Sequence, residues 1–273
     1  MATTITNGAV VDMAQKSVTL LSGLADSLKA VSTGFGDGAS YGDIVKVPVV
    51  AFGANSTEAD YQTDGGNSIT LVNVTLNAYT KQQWTLTEAD FAKFSSIVTP
   101  TSYNALVSKA AKGVSDAVYG LANTTNFDYD TNKIVTGKAE SALAMADIYA
   151  AVGAAVATGI YNPDSIKVVC PWSTYSRLRS ELDKQFSDKI NMPFELVPNL
   201  VASTTYIVDG SWAGVAFGAD PGVNKQAFVD DVTGLGYSLK VFHDDKLDKV
   251  VVAPRFLYGV SLLGGPLRWL QSA

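Results

Sequence analysis

The sequence predicts an α+β fold, on three observations. A long amphipathic stretch covers residues 99–122, two strand-like stretches cover residues 43–52 and 68–79, and helical and strand-like stretches alternate from residue 140 onward. The chain has 273 residues, of which 47% are hydrophobic. It is therefore long enough to bury a sizeable core in one large or two small domains.

The composition excludes several classes of function. Lys and Arg number 20 against 26 Asp and Glu, so the net charge is -6 and no basic face for sequence-specific nucleic-acid binding is expected. One cysteine and one histidine exclude disulfide scaffolds and zinc clusters. We expect Cys170 to be buried as a small hydrophobic residue and His243 to lie in a solvated turn. No metal or cofactor is expected.

The N-terminal stretch MATTITNGAV has no basic region followed by an apolar core, so we expect no secretion and a chain that stays in the cytoplasm. Residues 142–161 are apolar enough to resemble a membrane span. They contain Asp147, however, and a carboxylate in the middle of a span costs about 2.5 to 3.5 kcal/mol. We expect a buried helix there and no membrane partner.

Residues 1–40 predict an amphipathic helix followed by a connector. Apolar residues recur at helical spacing from Val10 to Val31. The glycine-rich stretch STGFGDGASYGD then favours a flexible linker. It is not a phosphate-binding loop, because it follows a helix and lacks the spacing and the trailing lysine of such loops.

The next two extended stretches predict a long β-hairpin. Residues 43–52 are rich in β-branched side chains, and Pro48 restricts them to an edge strand or to a strand whose proline faces away from any partner. Residues 68–79 alternate apolar and polar side chains, with a slip near Val72. Isolated hairpins are marginally stable in water, so we expect this one to lie on another copy of the chain. The loop between the strands carries three carboxylates, those of Glu58, Asp60 and Asp64.

The stretch from Thr99 to Ala122 predicts the longest helix. Apolar residues from Tyr103 to Leu121 follow the i, i+3, i+4 pattern, and Pro100 after Thr99 marks the start. At 1.5 Å per residue this helix is about 35 Å long, enough to cross a domain. Two lysines lie on its polar side, Lys109 and Lys112.

Two shorter motifs predict local structure. Thr85 and Glu88 have the spacing of a capping box, which predicts a helix start. Residues 128–139 begin like a calcium-binding loop, but Lys133 stands where glycine is required and Ala139 where glutamate is required. We therefore expect a polar turn there.

The C-terminal half predicts alternating elements. Along the chain these are an alanine-rich helix from residue 140 to Gly159, a buried strand at residues 166–170, a helix from Pro171, short strands at FELVP, TTYIVDG and GVAFG, and two long strands around the turn HDDKLD. The helix after Pro171 includes two basic residues, Arg177 and Arg179.

The order of these parts resembles the major capsid protein fold named after bacteriophage Hong Kong 97, which tailed-phage major capsid proteins share with encapsulin nanocompartments. The resemblance spans nearly the whole chain. It rests on an arm, a hairpin, the capped entry WTLTEADF, the spine helix YNALVSKAAKGVSDAVYGL, an α/β block and the closing stretch GLGYSLKVFHDDKLDKVVVAPRFLYGVSLLGGP.

The resemblance implies a division of the chain into four parts. These are an N-terminal arm at 1–40, an extended loop at 41–80, a peripheral domain at 81–138 and about 226–256 with the spine helix at 100–122, and an axial domain at 139–225 and about 257–273.

The resemblance also implies a structural protein without catalysis. Its subunits would form pentamers and hexamers that close into an icosahedral shell around double-stranded DNA, made in the host cytoplasm and found in the virion. Scaffolding, portal and decoration proteins would be further partners. One alternative is an encapsulin-like shell holding a cargo enzyme, and a second is an α/β enzyme using acidic residues such as Asp128 and Asp130.

Two departures from the family pattern lead to expectations. Some relatives crosslink subunits through a lysine in the extended loop, but residues 53–80 contain none, and Lys46 and Lys81 lie near the ends of the hairpin. We therefore expect intact subunits to run as monomers on a denaturing gel. The chain also opens without a long acidic or coiled-coil segment, so we expect scaffolding to come from a separate protein or a removed segment.

For the polar part of the subunit interface we expect the acidic loop between residues 52 and 68 to meet a basic strip on the adjoining copy. The candidate residues are Glu58, Asp60 and Asp64 on one side, and Lys109, Lys112, Arg177 and Arg179 on the other. Exposed ion pairs contribute about 0 to 1 kcal/mol each, so these would set register more than strength.

Overall fold

The computed structural model describes most of the chain, namely residues 8–19, 28, 32–36, 41–51, 68–157, 165–185, 194–199, 203–210, 212–218, 225–229 and 236–271. The helices in this part are α1 (Gly8–Thr19), α2 (Glu88–Ala92), α3 (Phe94–Ile97), α4 (Pro100–Gly120), α5 (Tyr129–Asn132), α6 (Met145–Ala157) and α7 (Trp172–Gln185). The strands are β1 (Ser32–Gly36), β2 (Ile44–Ala51), β3 (Ser68–Thr75), β4 (Ala78–Lys81), β5 (Trp84–Leu86), β6 (Lys133–Val135), β7 (Ile166–Pro171), β8 (Glu195–Asn199), β9 (Tyr206–Asp209), β10 (Ala213–Gly218), β11 (Lys225–Val229), β12 (Gly236–Asp244), β13 (Lys249–Leu262) and β14 (Leu267–Gln271).

These strands form three sheets. The largest has seven strands and is built around β13, which has 14 residues and pairs with β12, β10, β4 and β5. A five-stranded sheet has the order β6-β14-β9-β7-β8, and β2 with β3 makes a two-stranded sheet. The antiparallel pair β12 and β13 around the turn at 245–248 confirms the prediction from the closing stretch.

The helix α4, called the spine helix below, confirms the longest predicted element. The Thr99 side chain accepts a hydrogen bond from the Ser102 amide, and Pro100 occupies the first turn, where no amide donor is needed. At the other end, the Asn123 side-chain amide donates to the Gly120 carbonyl at 2.7 Å. The apolar side of the helix packs on β13 and on α1.

The spine helix comes closest to the sheet at Gly113. A Cβ atom there would lie 2.9 Å from Cγ2 of Thr80 in β4, closer than real Cβ atoms approach other heavy atoms. The Thr80 hydroxyl donates to the Ala110 carbonyl one turn earlier. Gly113 is therefore the position that lets helix and sheet touch.

Replacing Gly113 with alanine is expected to lower the free energy of unfolding by about 1 to 3 kcal/mol, because overpacking outweighs the better helix propensity of alanine. The matched control is Gly153→Ala on α6, where a Cβ has no neighbour within 4 Å. That change is expected to raise the free energy of unfolding by about 0.5 to 1 kcal/mol. Urea titration followed by circular dichroism measures both, and equal shifts would contradict this explanation.

The prediction of a flexible connector at residues 32–43 is wrong for residues 32–36. Ser32–Gly36 forms β1 and pairs in parallel with β10, from Ser32 opposite Gly214 to Gly36 opposite Gly218. Strand pairing uses backbone amides and carbonyls, which glycine also carries, and the edge of β10 supplies the partners. Tertiary pairing thus outweighed the low strand propensity of a glycine-rich segment.

The predicted capping box at Thr85 is also wrong. Thr85 lies in β5 opposite Val251 of β13, and the helix α2 begins after Thr87. The Thr87 hydroxyl oxygen accepts a hydrogen bond from the Asp90 amide at 3.1 Å. Pairing with β13 extends the strand by two residues, so the second threonine of TLT becomes the cap.

The segment that resembles a calcium loop is a short capped turn. The Asp128 carboxylate accepts hydrogen bonds from the amides of Asp130 and Thr131 and so caps α5. Lys133 lies 3.1 Å from the Asp130 carboxylate and begins β6, a strand that the sequence did not predict. Among the described residues, no group of three or more His, Cys, Asp or Glu side chains is arranged to hold a metal ion.

The helices α6 and α7 pack together on one face of the five-stranded sheet. The alanine-rich helix starts at Met145, later than predicted, because Glu140–Ala142 forms a 3-10 turn. The part of the chain that the structure describes contains no helix that is both long and apolar enough to cross a bilayer. Cys170 is buried in this layer as predicted, and burial raises the pKa of its thiol to about 12.

The segment predicted as an axial domain contributes to two sheets. The strands β7, β8 and β9 lie in the five-stranded sheet, whereas β10 pairs with β13 in the seven-stranded sheet. After β13, the chain crosses to the five-stranded sheet as β14. Trp212 lies between β9 of the five-stranded sheet and β10 of the seven-stranded sheet, where its carbonyl accepts from the Leu263 amide and its ring packs on Tyr119 and Phe127. The division into domains stays a prediction.

Candidate subunit interface

The predicted hairpin is present as the two-stranded sheet of β2 and β3. The register runs from Ile44 opposite Thr75 to Ala51 opposite Ser68, and Pro48 lies opposite Leu71. Within the described residues β2 pairs only with β3, which is the edge position that its proline requires. The predicted acidic residues Glu58, Asp60 and Asp64 lie outside the described residues.

One face of the hairpin packs on its own subunit. Val47 and Val74 are buried on this inner face, together with Leu76 just beyond the strand. Their partners are three residues of the seven-stranded sheet and the segment after it: Ala216, Leu257 and Leu263. The expectation that the hairpin lies on another copy is therefore wrong for this face, because β3 leads directly into β4, which pairs with β13.

The opposite face, called the outer face below, is exposed. Because directly opposed residues share a face, the register places on it Ile44, Lys46, Pro48, Ile69, Leu71, Asn73 and Thr75. Ile69 is 72% exposed, and Ile44 and Leu71 are each 54% exposed. Full burial of one such side chain contributes about 1.5 to 3 kcal/mol. The outer face is thus an apolar surface suited to a protein partner.

The base of the hairpin is held by several contacts. We call residues 41–43 and 74–81 the hairpin root. The Gly42 amide donates to the Leu76 carbonyl at 2.8 Å, and the Leu76 amide donates to the Asp43 carbonyl at 2.9 Å. Tyr41 stacks on Tyr79, and the Arg255 guanidinium lies 3.4 Å from the centroid of the Tyr79 ring. These contacts give the hairpin a defined direction relative to the subunit.

The predicted basic residues occupy two different places. Lys109 and Lys112 lie exposed on the spine helix, where the Lys112 ammonium is 3.6 Å from the Asp116 carboxylate. On α7, Arg179 is exposed, whereas the Arg177 guanidinium is half-buried and donates to the carbonyls of Glu140 and Leu143. Arg177 thus stabilises the fold of its own subunit. The ion pairs with the acidic loop stay a prediction.

His243 lies at the end of β12, so its expected position in the turn is wrong, whereas its side chain is partly exposed to solvent as expected. β12 continues through it because His243 pairs with Val250 of β13. Its Nδ1 is 3.0 Å from the Asp245 carboxylate, and its Nε2 is 3.4 Å from Asp248 and 3.9 Å from Glu88. The hydrogen bond to Asp245 and the other carboxylates raise the pKa of His243.

A raised pKa in the folded state predicts pH-dependent stability. The contribution of protonated His243 is fully present below the unfolded pKa of about 6.5 and is lost as the pH rises through the higher folded pKa. We therefore expect His243→Gln to lower the melting temperature more at pH 5.5 than at pH 9. Comparing the variant with the wild type at each pH cancels the titration of other groups. A difference that is the same at both pH values would contradict this role.

The sequence contained a signal for the two faces of β3. The slip in the alternation near Val72 arises because apolar residues lie on both sides of the strand. Ile69 and Leu71 lie on the outer face, whereas Val72 and Val74 face the subunit. A strand that is apolar on both sides but has only one face covered indicates a second partner.

Comparison with solved structures identifies the fold. The chain is similar to the capsid of Ralstonia phage GP4, with 12% identity, a TM-score of 0.54 and coverage of 88% of this chain and 86% of that chain. It is also similar to a virus-like particle from Pyrococcus furiosus, with 13% identity, a TM-score of 0.51 and coverage of 97% and 96%. A third similar structure is the capsid of the cyanophage P-SCSP1u, with 12% identity, a TM-score of 0.50 and coverage of 89% and 86%.

No protein-family model and no curated protein sequence matches this chain. The order of arm, hairpin, spine helix, α/β block and closing strand pair agrees with the order from which the fold was predicted. The chain therefore has the Hong Kong 97-type major capsid fold.

Proposed function

We propose that this chain is the major subunit of a viral capsid. Its copies assemble as pentamers and hexamers, which close into an icosahedral shell around double-stranded DNA. The observation that carries this proposal is the outer face of the hairpin, where Ile44, Ile69 and Leu71 are exposed on a strand pair with a fixed root. A second copy of the chain covers this face in the shell.

The energetics of assembly fit such a surface. A standard interface buries about 1,600 Å² in total, and most of the gross gain is offset by the loss of freedom on association. Each contact between subunits is therefore modest. In a closed shell every subunit is held by several neighbours at once, so modest contacts add up to a stable particle.

Polar contacts set the register of this interface. In the proposal, Glu58, Asp60 and Asp64 of the acidic loop meet a basic surface on the neighbouring subunit. Lys109 and Lys112 on the exposed side of the spine helix are the first candidates, and Arg179 on α7 is the next. Arg177 is the weakest of the four, because its guanidinium already serves two carbonyls of its own subunit.

The proposed role is structural and includes no catalytic step. Asp128 and Asp130, the acidic pair considered for an enzyme, have local structural partners in a helix cap and an ion pair. The subunit would be made in the host cytoplasm and reside in the virion. Scaffolding, portal and decoration proteins are its proposed further partners, and the DNA would be contacted without sequence specificity.

A compartment shell with a cargo enzyme is the second candidate. The similarity to the virus-like particle from Pyrococcus furiosus, which spans 97% of this chain, supports a shell of either kind. The two candidates share the fold and the assembly of subunits. They differ in what the shell contains.

Purification of the assembled chain from cells that make the whole particle separates these functions. Size-exclusion chromatography with light scattering and electron microscopy is expected to show closed particles of megadalton mass. DNA that survives nuclease treatment inside the particles supports a capsid, and co-purified protein cargo without DNA supports a compartment. A monomer at all concentrations would contradict both.

A further inference from the structure

We propose that Gly259 sets the direction of the hairpin and thereby the geometry of the assembled shell. This inference rests on the proposed function. Gly259 lies in β13 opposite Ala216 of β10, at the level where β3 ends.

The chain passes Gly259 too closely for any side chain. A Cβ atom at this position would lie 2.1 Å from the carbonyl oxygen of Thr75 and 2.7 Å from its carbonyl carbon. Carbon atoms in favourable contact are about 3.5 to 4.0 Å apart, so the backbone of Thr75 would have to move by about 1 Å or more. The obstacle is backbone and not a flexible side chain, so rotation of a side chain cannot relieve it.

A second glycine fixes the other end of the hairpin root. Thr80 lies against Gly113 of the spine helix, where a Cβ would be 2.9 Å from its Cγ2 atom. The hydroxyl of Tyr258, next to Gly259, donates to the Gly113 carbonyl at 3.4 Å. The segment from Thr75 to Thr80 therefore contacts Gly259 at one end and Gly113 at the other, and the Tyr258 hydroxyl connects the strand of Gly259 to the helix of Gly113.

A shift at the hairpin root also moves the far end of the hairpin. The strand β3 has eight residues, and at about 3.4 Å per residue its far end lies roughly 24 Å from Thr75. Ile69, near that end, is the most exposed of the large apolar residues on the outer face. A displacement of about 1 Å at the root therefore moves the outer face against its partner, and groups that bind a partner must be held within about 0.5 Å of their productive geometry.

The first test compares Gly259→Ala with the control Gly153→Ala, whose added Cβ has no neighbour within 4 Å. Circular dichroism checks folding, and electron microscopy measures the diameter and yield of closed particles. We expect wild-type shells from the control and an at least tenfold lower yield of wild-type-diameter shells from Gly259→Ala. Shells of unchanged diameter and yield from a folded Gly259→Ala subunit would overturn the inference.

A second pair of variants decides the question if Gly259→Ala does not fold. Gly113→Ala displaces the same segment through Thr80, and Thr80→Ser removes the Cγ2 atom that the new Cβ approaches most closely. We expect Gly113→Ala to change the particles in the same direction and Gly113→Ala with Thr80→Ser to restore them. Normal particles from folded Gly113→Ala would overturn the inference but leave the proposed function standing. A wild-type protein that forms no particles would refute the proposed function.

Discussion

Replacing Ile69 and Leu71 together with aspartate is expected to abolish shell formation and to leave the subunit folded. Both side chains lie on the outer face of the hairpin, at 72% and 54% exposure, and support no core of their own subunit. Each loses an apolar burial of about 1.5 to 3 kcal/mol in the assembled state, and the new carboxylates would have to be desolvated there. Light scattering of the purified variant should show monomers or small oligomers, with the circular dichroism spectrum of the wild type.

The control for this variant is Ile97→Asp. Ile97 is 48% exposed at the end of α3, outside the hairpin, so it tests whether any exposed isoleucine has the same effect. We expect this variant to form closed particles. Normal particles from the Ile69→Asp, Leu71→Asp variant would show that the outer face is not part of a subunit interface.

Replacing Trp212 with alanine is expected to lower the free energy of unfolding by about 3 to 5 kcal/mol. The side chain is fully buried, and its ring packs on Tyr119 at the end of the spine helix and on Phe127. The change removes the largest side chain at the junction of the two main sheets. Urea titration should be carried out in the non-assembling Ile69→Asp, Leu71→Asp background, because assembly itself stabilises the folded state.

Trp172 provides the matched control for this prediction. It has the same side chain but is 57% exposed at the start of α7, where it stacks on Tyr175. Its replacement with alanine is expected to change the free energy of unfolding by about 0.5 kcal/mol or less. Losses of similar size at both tryptophans would mean that Trp212 does not tie the sheets together.

Elements with strong local signals were predicted from the sequence. The spine helix carries its own cap, a proline in its first turn and a continuous apolar stripe, so its bounds needed no information from the rest of the chain. The strands β12 and β13 were predicted because their apolar stretches flank a charged turn. In these cases the local and the tertiary preferences agree.

Elements that depend on distant partners were not predicted. The strand β1 exists because the edge of β10 is available, and the cap at Thr87 follows from pairing between β5 and β13. The short β6 forms in parallel beside β14, which lies far from it in the sequence. No pattern within these segments carries such information.

The candidate interface was predicted in part. The weak stability of an isolated hairpin correctly indicated that this hairpin needs a supporting surface. It did not indicate that the hairpin's own subunit covers one of its two faces. Gly259 was missed entirely, because a glycine in a strand-like stretch does not reveal which backbone approaches it. The outer face could have been found from the slip in alternation at Val72.

A high-resolution electron-microscopy reconstruction of the assembled particle tests the central claim most directly. We predict that Ile69 and Leu71 of each hairpin lie within about 4.5 Å of apolar side chains of a neighbouring subunit. A particle in which the outer face remains open to solvent, or a chain that stays monomeric with this face exposed, would contradict the account.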